Sequence, residues 1–187
     1  MDEIIKEELR AGEKVLWTGS PESFETLDVT NKQPVIKKGI MIIGVIVALC
    51  IIYIVYALSK GIDIKPALVV IAMACAIAGS VNFISDAKKL RRMKYAITDQ
   101  RIIFKLDLAK SLEFAKISEI EFKTDADGHT SILFGKNAIK AKAHQWRSLA
   151  LADAYIDEDT GLCSRFAMYA IPEAEEVKKI LGEHIAI

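Results

Sequence analysis

The chain has 187 residues, 52% of them hydrophobic, with 25 Lys and Arg against 25 Asp and Glu, so its formal net charge is zero. That length suits one soluble domain of ordinary size, and the charge balance offers nothing in favour of nucleic acid as a partner. The three cysteines follow no pattern, which excludes a disulfide framework and suits a reducing cytosol.

At the N-terminus, Ile4, Ile5 and Leu9 recur at helical spacing, and Gly12 is placed to end that helix. The following EKVLWTGSPE alternates, with Val15 and Trp17 on one face and Leu16 and Thr18 on the other, before a turn at Gly19, Ser20 and Pro21. This is the pattern of a short strand or of a segment lying against a membrane surface. Glu22 to Val35 reads as a connecting loop. Residues 1–38 are thus expected to form a small N-terminal segment rather than a domain, because so short a stretch rarely folds alone.

Two apolar runs then set the class of the protein. Gly39 to Leu58 (GIMIIGVIVALCIIYIVYAL) and Pro66 to Ile84 (PALVVIAMACAIAGSVNFI) carry no charge and are 20 and 19 residues long. A hydrocarbon core of about 30 Å needs roughly 20 helical residues, so each is long enough to span a bilayer. The link SKGIDIK is too short for a domain, and backbone groups inside lipid are satisfied only by helix or closed barrel. Residues 39–86 therefore read as a transmembrane helical hairpin.

Charge confirms an orientation for that hairpin. Lys32, Lys37 and Lys38 precede the first run, and Lys88, Lys89, Arg91, Arg92 and Lys94 follow the second. Basic residues near span ends are retained on the cytoplasmic side, so both termini are expected in the cytosol. The same cluster is also suited to anionic lipid headgroups. Small residues recur every four positions at Gly44 and Ala48 and at Ala72, Ala76 and Ser80, a spacing that lets helices pack closely within a hairpin or between two of them. Neither run holds Asp, Glu, Lys, Arg or His, the usual marker of an ion path, which disfavours a channel or transporter. Cys50 and Cys75 fall at similar depth in a symmetric hairpin, and two thiols there are read as packing rather than a metal site.

Beyond Lys94 the pattern turns to β structure. YAIT and RIIF flank a turn at Asp99 and Gln100, and SLEF, SEIEFK and SILF follow, separated by short polar turns. Thr98 and Asp99 suit a turn because their side chains bond nearby backbone, and Arg101 is expected to pair locally. DADG (Asp125 to Gly128) lacks the first and twelfth ligands of a calcium loop and reads as a hairpin turn. Asp157, Asp159 and Gly161 form a second acidic turn. His129, His144 and His184 are scattered without metal-ligand spacing. Between Gly135 and Arg165, SLALADAY is compatible with a strand or with a helix beginning near His144. The final segment, residues 172–183, reads as a helix: Pro172 opens it, Glu173, Glu175 and Glu176 crowd its first turn, and Ala174, Val177 and Leu181 form an apolar stripe.

Taken in order, EKVLWTGSP, two spans, YAITDQRIIF, the Ile117 and Ile120 strand, GHTSILFG and RFAMYAIPEAEEVKKIL resemble the membrane-anchored bacterial pleckstrin-homology-like (PH-like) proteins. Their Tyr-x-apolar-Thr-(Asp/Asn)-x-Arg-apolar signature is matched by Tyr95, Ile97, Thr98, Asp99, Arg101 and Ile102. The resemblance covers most of the chain and is weakest over 135–165. It implies an α+β protein: the two-helix hairpin, then a bent antiparallel β-barrel over 87–187 capped by the C-terminal helix.

It implies a fold used for binding and self-assembly at the bacterial cytoplasmic membrane, with the bilayer, anionic lipids, a protein or a second copy as partners. No phosphoinositide-binding pattern is recognisable. No catalytic residue, metal site or cofactor is expected, since no phosphate loop or nucleophile motif is present. The expected function is a non-catalytic, membrane-tethered interaction or scaffolding module. The alternative is an accessory subunit or enzyme acting on a membrane substrate through the thiol pair or the acidic turns.

Overall fold

A computed structural model describes residues 7–63, 66, 68, 70–71, 74 and 82–185. The chain divides into two compact units, one formed by residues 1–30 together with 86–187 and the other by residues 31–85. The protein is α+β.

In the second unit, helix α1 (Val29–Lys60, beginning in the first unit) runs 32 residues. It is, among the described residues, the one helix long and apolar enough to cross a membrane. Its Ile40, Val47, Ile51, Val55 and Leu58 are all more than half exposed. Such a face is costly in water and at home in lipid. The expected second span, 66–84, lies mostly outside the described residues, as do Ala72, Cys75, Ala76 and Ser80, so that one described helix stands where two spans were expected.

The expected loop over Glu22 to Val35 needs correction, because α1 already begins at Val29. Its first N–H groups, which no intrahelical partner can satisfy, find a carboxylate from the hairpin turn at Asp127. That side chain accepts from Val29 N (3.2 Å), Thr30 N (3.1 Å) and Thr30 Oγ1 (2.7 Å). A cap supplied 97 residues away leaves no local signature.

The β unit begins with β1 (Val15–Gly19). After α2 (Asn82–Arg91) come β2 (Lys94–Thr98), β3 (Arg101–Lys105) and β4 (Ala109–Glu113). These four strands form an antiparallel sheet in the order β1-β2-β3-β4. The VLWT stretch is thus a strand of the β unit, paired Val15 to Thr98 and Gly19 to Tyr95. A second sheet has the order β5-β6-β8-β7, from β5 (Ile120–Thr124), β6 (Thr130–Phe134), β7 (Tyr155–Ile156) and β8 (Cys163–Met168). Among the described residues no strand ladder joins the two sheets. The expected bent antiparallel β-barrel is therefore corrected to two antiparallel sheets, not closed into a barrel, that share a core.

The undecided stretch 135–165 is helical first and extended later. It holds α3 (Lys136–Ile139) and α4 (Ala143–Leu151), which takes the first half of SLALADAY as helix, before β7, which begins at its last residue. The C-terminal helix α5 is Ala174–His184, two residues later than Pro172 suggested, because Glu173 at its cap takes a left-handed φ of 55°.

Unbroken apolar runs such as YAI, SILF and FAMYAI are explained by burial on both faces of the sheets. In the second sheet, Ile132, Phe134, Phe166 and Met168 face a core shared with Tyr95, Ile97, Ile102, Phe104, Val177 and Leu181. The alternate residues Leu133, Ala167 and Tyr169 face a separate core with Leu90, Trp146, Ala150 and Phe24. In the first sheet, Ala96 and Ile103 turn outward and are covered by Leu9.

Candidate functional site

The signature strand is used for construction. Tyr95 is fully buried, and its hydroxyl accepts a hydrogen bond from Tyr169 N (3.3 Å), while burial raises its pKa. Thr98 Oγ1 donates to Glu13 Oε1 (2.8 Å) and accepts from Gln100 N and Arg101 N. Asp99 Oδ1 accepts from Lys14 N at 3.0 Å.

Arg101 does not pair locally. Its Nε donates to Glu13 Oε1 (2.9 Å), and one terminal nitrogen reaches Glu13 Oε2 and the Glu8 carbonyl. The Glu13 side chain is wholly buried, and the Arg101 guanidinium holds its carboxyl down to about 2. The apposition fixes the N-terminal segment to β2 and β3, and no periodicity could reveal a partner 88 residues away.

A second polar cluster anchors the segment between β1 and α1. Two guanidinium groups lie over the Phe24 ring, Arg147 at 4.5 Å and Arg91 at 5.1 Å from its centroid. Arg147 also pairs with buried Asp28 and donates to Tyr169 Oη (3.1 Å) and the Thr26 carbonyl (3.1 Å). Tyr169 Oη in turn donates to Asp125 Oδ2 (3.2 Å), whose other oxygen accepts from Asp127 N and His129 N and so shapes the expected DADG hairpin turn. Sequence reasoning missed Glu13, Phe24, Asp28, Arg147 and Tyr169 as a group, because their partners meet only in three dimensions.

The basic cluster is not uniform. Arg91 donates to the Phe24 carbonyl (2.8 Å) and Thr26 Oγ1 (3.0 Å), and Arg92 lies 3.5 Å from Asp107. Lys94 is half-buried in β2, whereas Lys88 and Lys89 are exposed, as are Lys37 and Lys38 on α1. Gly44 and Ala48 are exposed on α1, and a Cβ at Gly44 would meet nothing within 4 Å. The remaining small residues, Ala72, Ala76 and Ser80, lie outside the described residues.

Burial pushes the Cys163 thiol up to about 11, and its Sγ faces the Phe134 carbonyl. A thiol so placed is not a nucleophile at neutral pH. Among the described residues no three His, Cys, Asp or Glu side chains gather to hold a metal.

The described residues also enclose open concavities, of which the one on the 135–165 stretch carries the most polar lining. A cleft of about 510 Å³ lies among α3, α4, β7 and β8, lined by Asn137, Lys140, Ala141, Gln145, Ser148, Leu149, Tyr155 and Arg165. Its size is within the range of ligand-binding clefts, about 300–1,000 Å³. Two cations and four neutral hydrogen-bonding side chains line it, with no carboxylate. The Arg165 guanidinium stands 5.9 Å from the Tyr155 ring centroid across the β7–β8 pair. The site falls wholly within the stretch whose structure the sequence left open. Its lining is positively charged at Lys140 and Arg165 and otherwise neutral.

No family model matches the chain, and neither does any curated protein or solved structure.

Proposed function

We propose that this chain is a non-catalytic, membrane-tethered interaction module of the PH-like kind, held at the cytoplasmic face of a bacterial membrane. The observation that carries the reading is the pairing of β1 with β2. These strands are neighbours in one sheet, yet the apolar stretch of the chain is inserted between them. A single crossing would leave them on opposite sides of a bilayer, so the chain crosses an even number of times. The run from Pro66 to Ile84 supplies the return. Lys37 and Lys38 before the first run, with Lys88, Lys89, Arg91, Arg92 and Lys94 after the second, support a cytosolic place for the β unit.

The PH-like reading is supported by a four-stranded meander, a second sheet and a C-terminal helix on a shared core. The helices α3 and α4 and the short β7 stand outside that pattern. The buried charges Glu13, Arg101, Asp28 and Arg147 pair with one another and hold segments together, leaving the open cleft and the exposed basic surface for partners. The fold alone assigns no function, and the open cleft and the exposed basic residues support binding.

The test is capture of the full chain from mild detergent, followed by reconstitution into vesicles with and without anionic lipid. A stoichiometric partner, a second copy or a preference for anionic lipid is expected. A chain that binds no protein, stays single and is indifferent to lipid charge would contradict the reading.

A further inference from the structure

The hairpin β7–β8 carries two opposite chemistries side by side. At its base, Tyr155 and Arg165 are register partners and line the cleft. At its tip, Asp157, Glu158 and Asp159 form an acidic turn in which Asp157 Oδ1 accepts from Asp159 N (3.2 Å) and Thr160 N (3.0 Å). That bonding fixes the turn and leaves Glu158 and Asp159 exposed. A preorganised loop loses little conformational freedom on docking.

The cleft presents two cations and the turn presents exposed carboxylates. Among the described residues, neither Lys140 nor Arg165 forms an ion pair, and no carboxylate lines the cleft of the same chain.

We propose that the cleft at Lys140, Gln145, Ser148, Tyr155 and Arg165 receives the Glu158–Asp159 turn of a second copy of this chain. Because donor and acceptor surfaces share one hairpin, the contact is self-complementary: each copy gives its turn and takes the other's, the arrangement of a two-fold interface. The inference rests on the interaction-module reading and names its partner. Exposed charge pairs are individually weak. Tethering both copies in one bilayer raises their effective concentration, so modest contacts suffice for pairing there.

The test uses the full chain in nanodiscs and vesicles, with mass by light scattering and proximity by energy transfer between labelled copies. The wild type is expected to pair, less strongly as salt rises. Lys140→Glu with Arg165→Glu is expected to weaken pairing at least tenfold, and Glu158→Lys with Asp159→Lys likewise. Combining all four substitutions restores it, because the charges are exchanged rather than removed. Thermal unfolding of each variant checks that it is folded.

A wild type that stays single in the bilayer overturns the proposal, as do folded charge-reversal variants that pair unchanged or a fourfold variant that fails to recover. A wild type that does not pair but still captures another protein or anionic lipid overturns this proposal alone, leaving the module reading standing. A wild type that binds neither itself, another protein nor anionic lipid overturns both.

Discussion

Arg101 Nε lies 2.9 Å from Glu13 Oε1, and this contact closes the N-terminal segment onto the signature strands. The carboxylate is wholly buried and the guanidinium nearly so. Removing one partner of such a pair strands the other, so Glu13→Gln and Arg101→Met should each cost about 3 kcal/mol of stability. The double variant should cost less than their sum, as a double-mutant cycle by chemical denaturation will show.

The same pair sets a pH dependence. Arg101 holds the folded carboxyl of Glu13 at about 2, below its ordinary value of 4.5. A depressed folded value means that the contribution is present above pH 4.5 and is lost as pH falls from there towards 2. Stability of the wild type should therefore drop more steeply across that window than stability of Glu13→Gln, measured as denaturation midpoints against pH.

Arg147 stacks on Phe24 and pairs with Asp28 while donating to Tyr169. A lysine keeps the charge but not the planar fork or the stack. Arg147→Lys is expected to destabilise by about 2 kcal/mol, the scale of losing charge-assisted hydrogen bonds at a part-buried site. Hydrogen exchange should show the loosening concentrated in residues 22–28, and unchanged protection there would contradict the anchoring role.

Gly135 joins β6 to α3 at a φ of 84°, and a Cβ there would lie 2.2 Å from the Cys163 carbonyl oxygen. Both the backbone conformation and the clash oppose any side chain. Gly135→Ala should cost about 3 kcal/mol or more, since the strained conformation alone is worth about 1–3, and thermal unfolding is the direct measure. By contrast, Gly128→Ala meets open space, and only its φ of 86° opposes substitution.

How much of this was legible depends on the range of the interaction that decides it. YAIT, RIIF, SEIEFK and SILF were readable as strands because their turns are local, and β2, β3, β5 and β6 follow them closely. The start of α1 was not readable, because Asp127 supplies its cap from a distant turn. The stretch from Gly135 to Arg165 was undecided because an apolar run such as SLALADAY suits helix or strand until the second core, where Leu149 and Ala150 pack, selects a helix. The signature residues Tyr95, Thr98, Asp99 and Arg101 were readable as structural, but Glu13 as their partner was not. The cleft, built by two helices and a two-residue strand within that stretch, left no signal in the sequence.

The even number of crossings is tested most directly by labelling single introduced cysteines with a membrane-impermeant reagent in right-side-out and inverted vesicles. Positions Glu25 and Leu108 flank the apolar stretch, and Lys60 lies at the end of α1; all three are exposed. Glu25→Cys and Leu108→Cys should label only in inverted vesicles, and Lys60→Cys only in right-side-out ones. Labelling of Glu25→Cys and Leu108→Cys from opposite sides would contradict the account, because β1 and β2 could then not share a sheet.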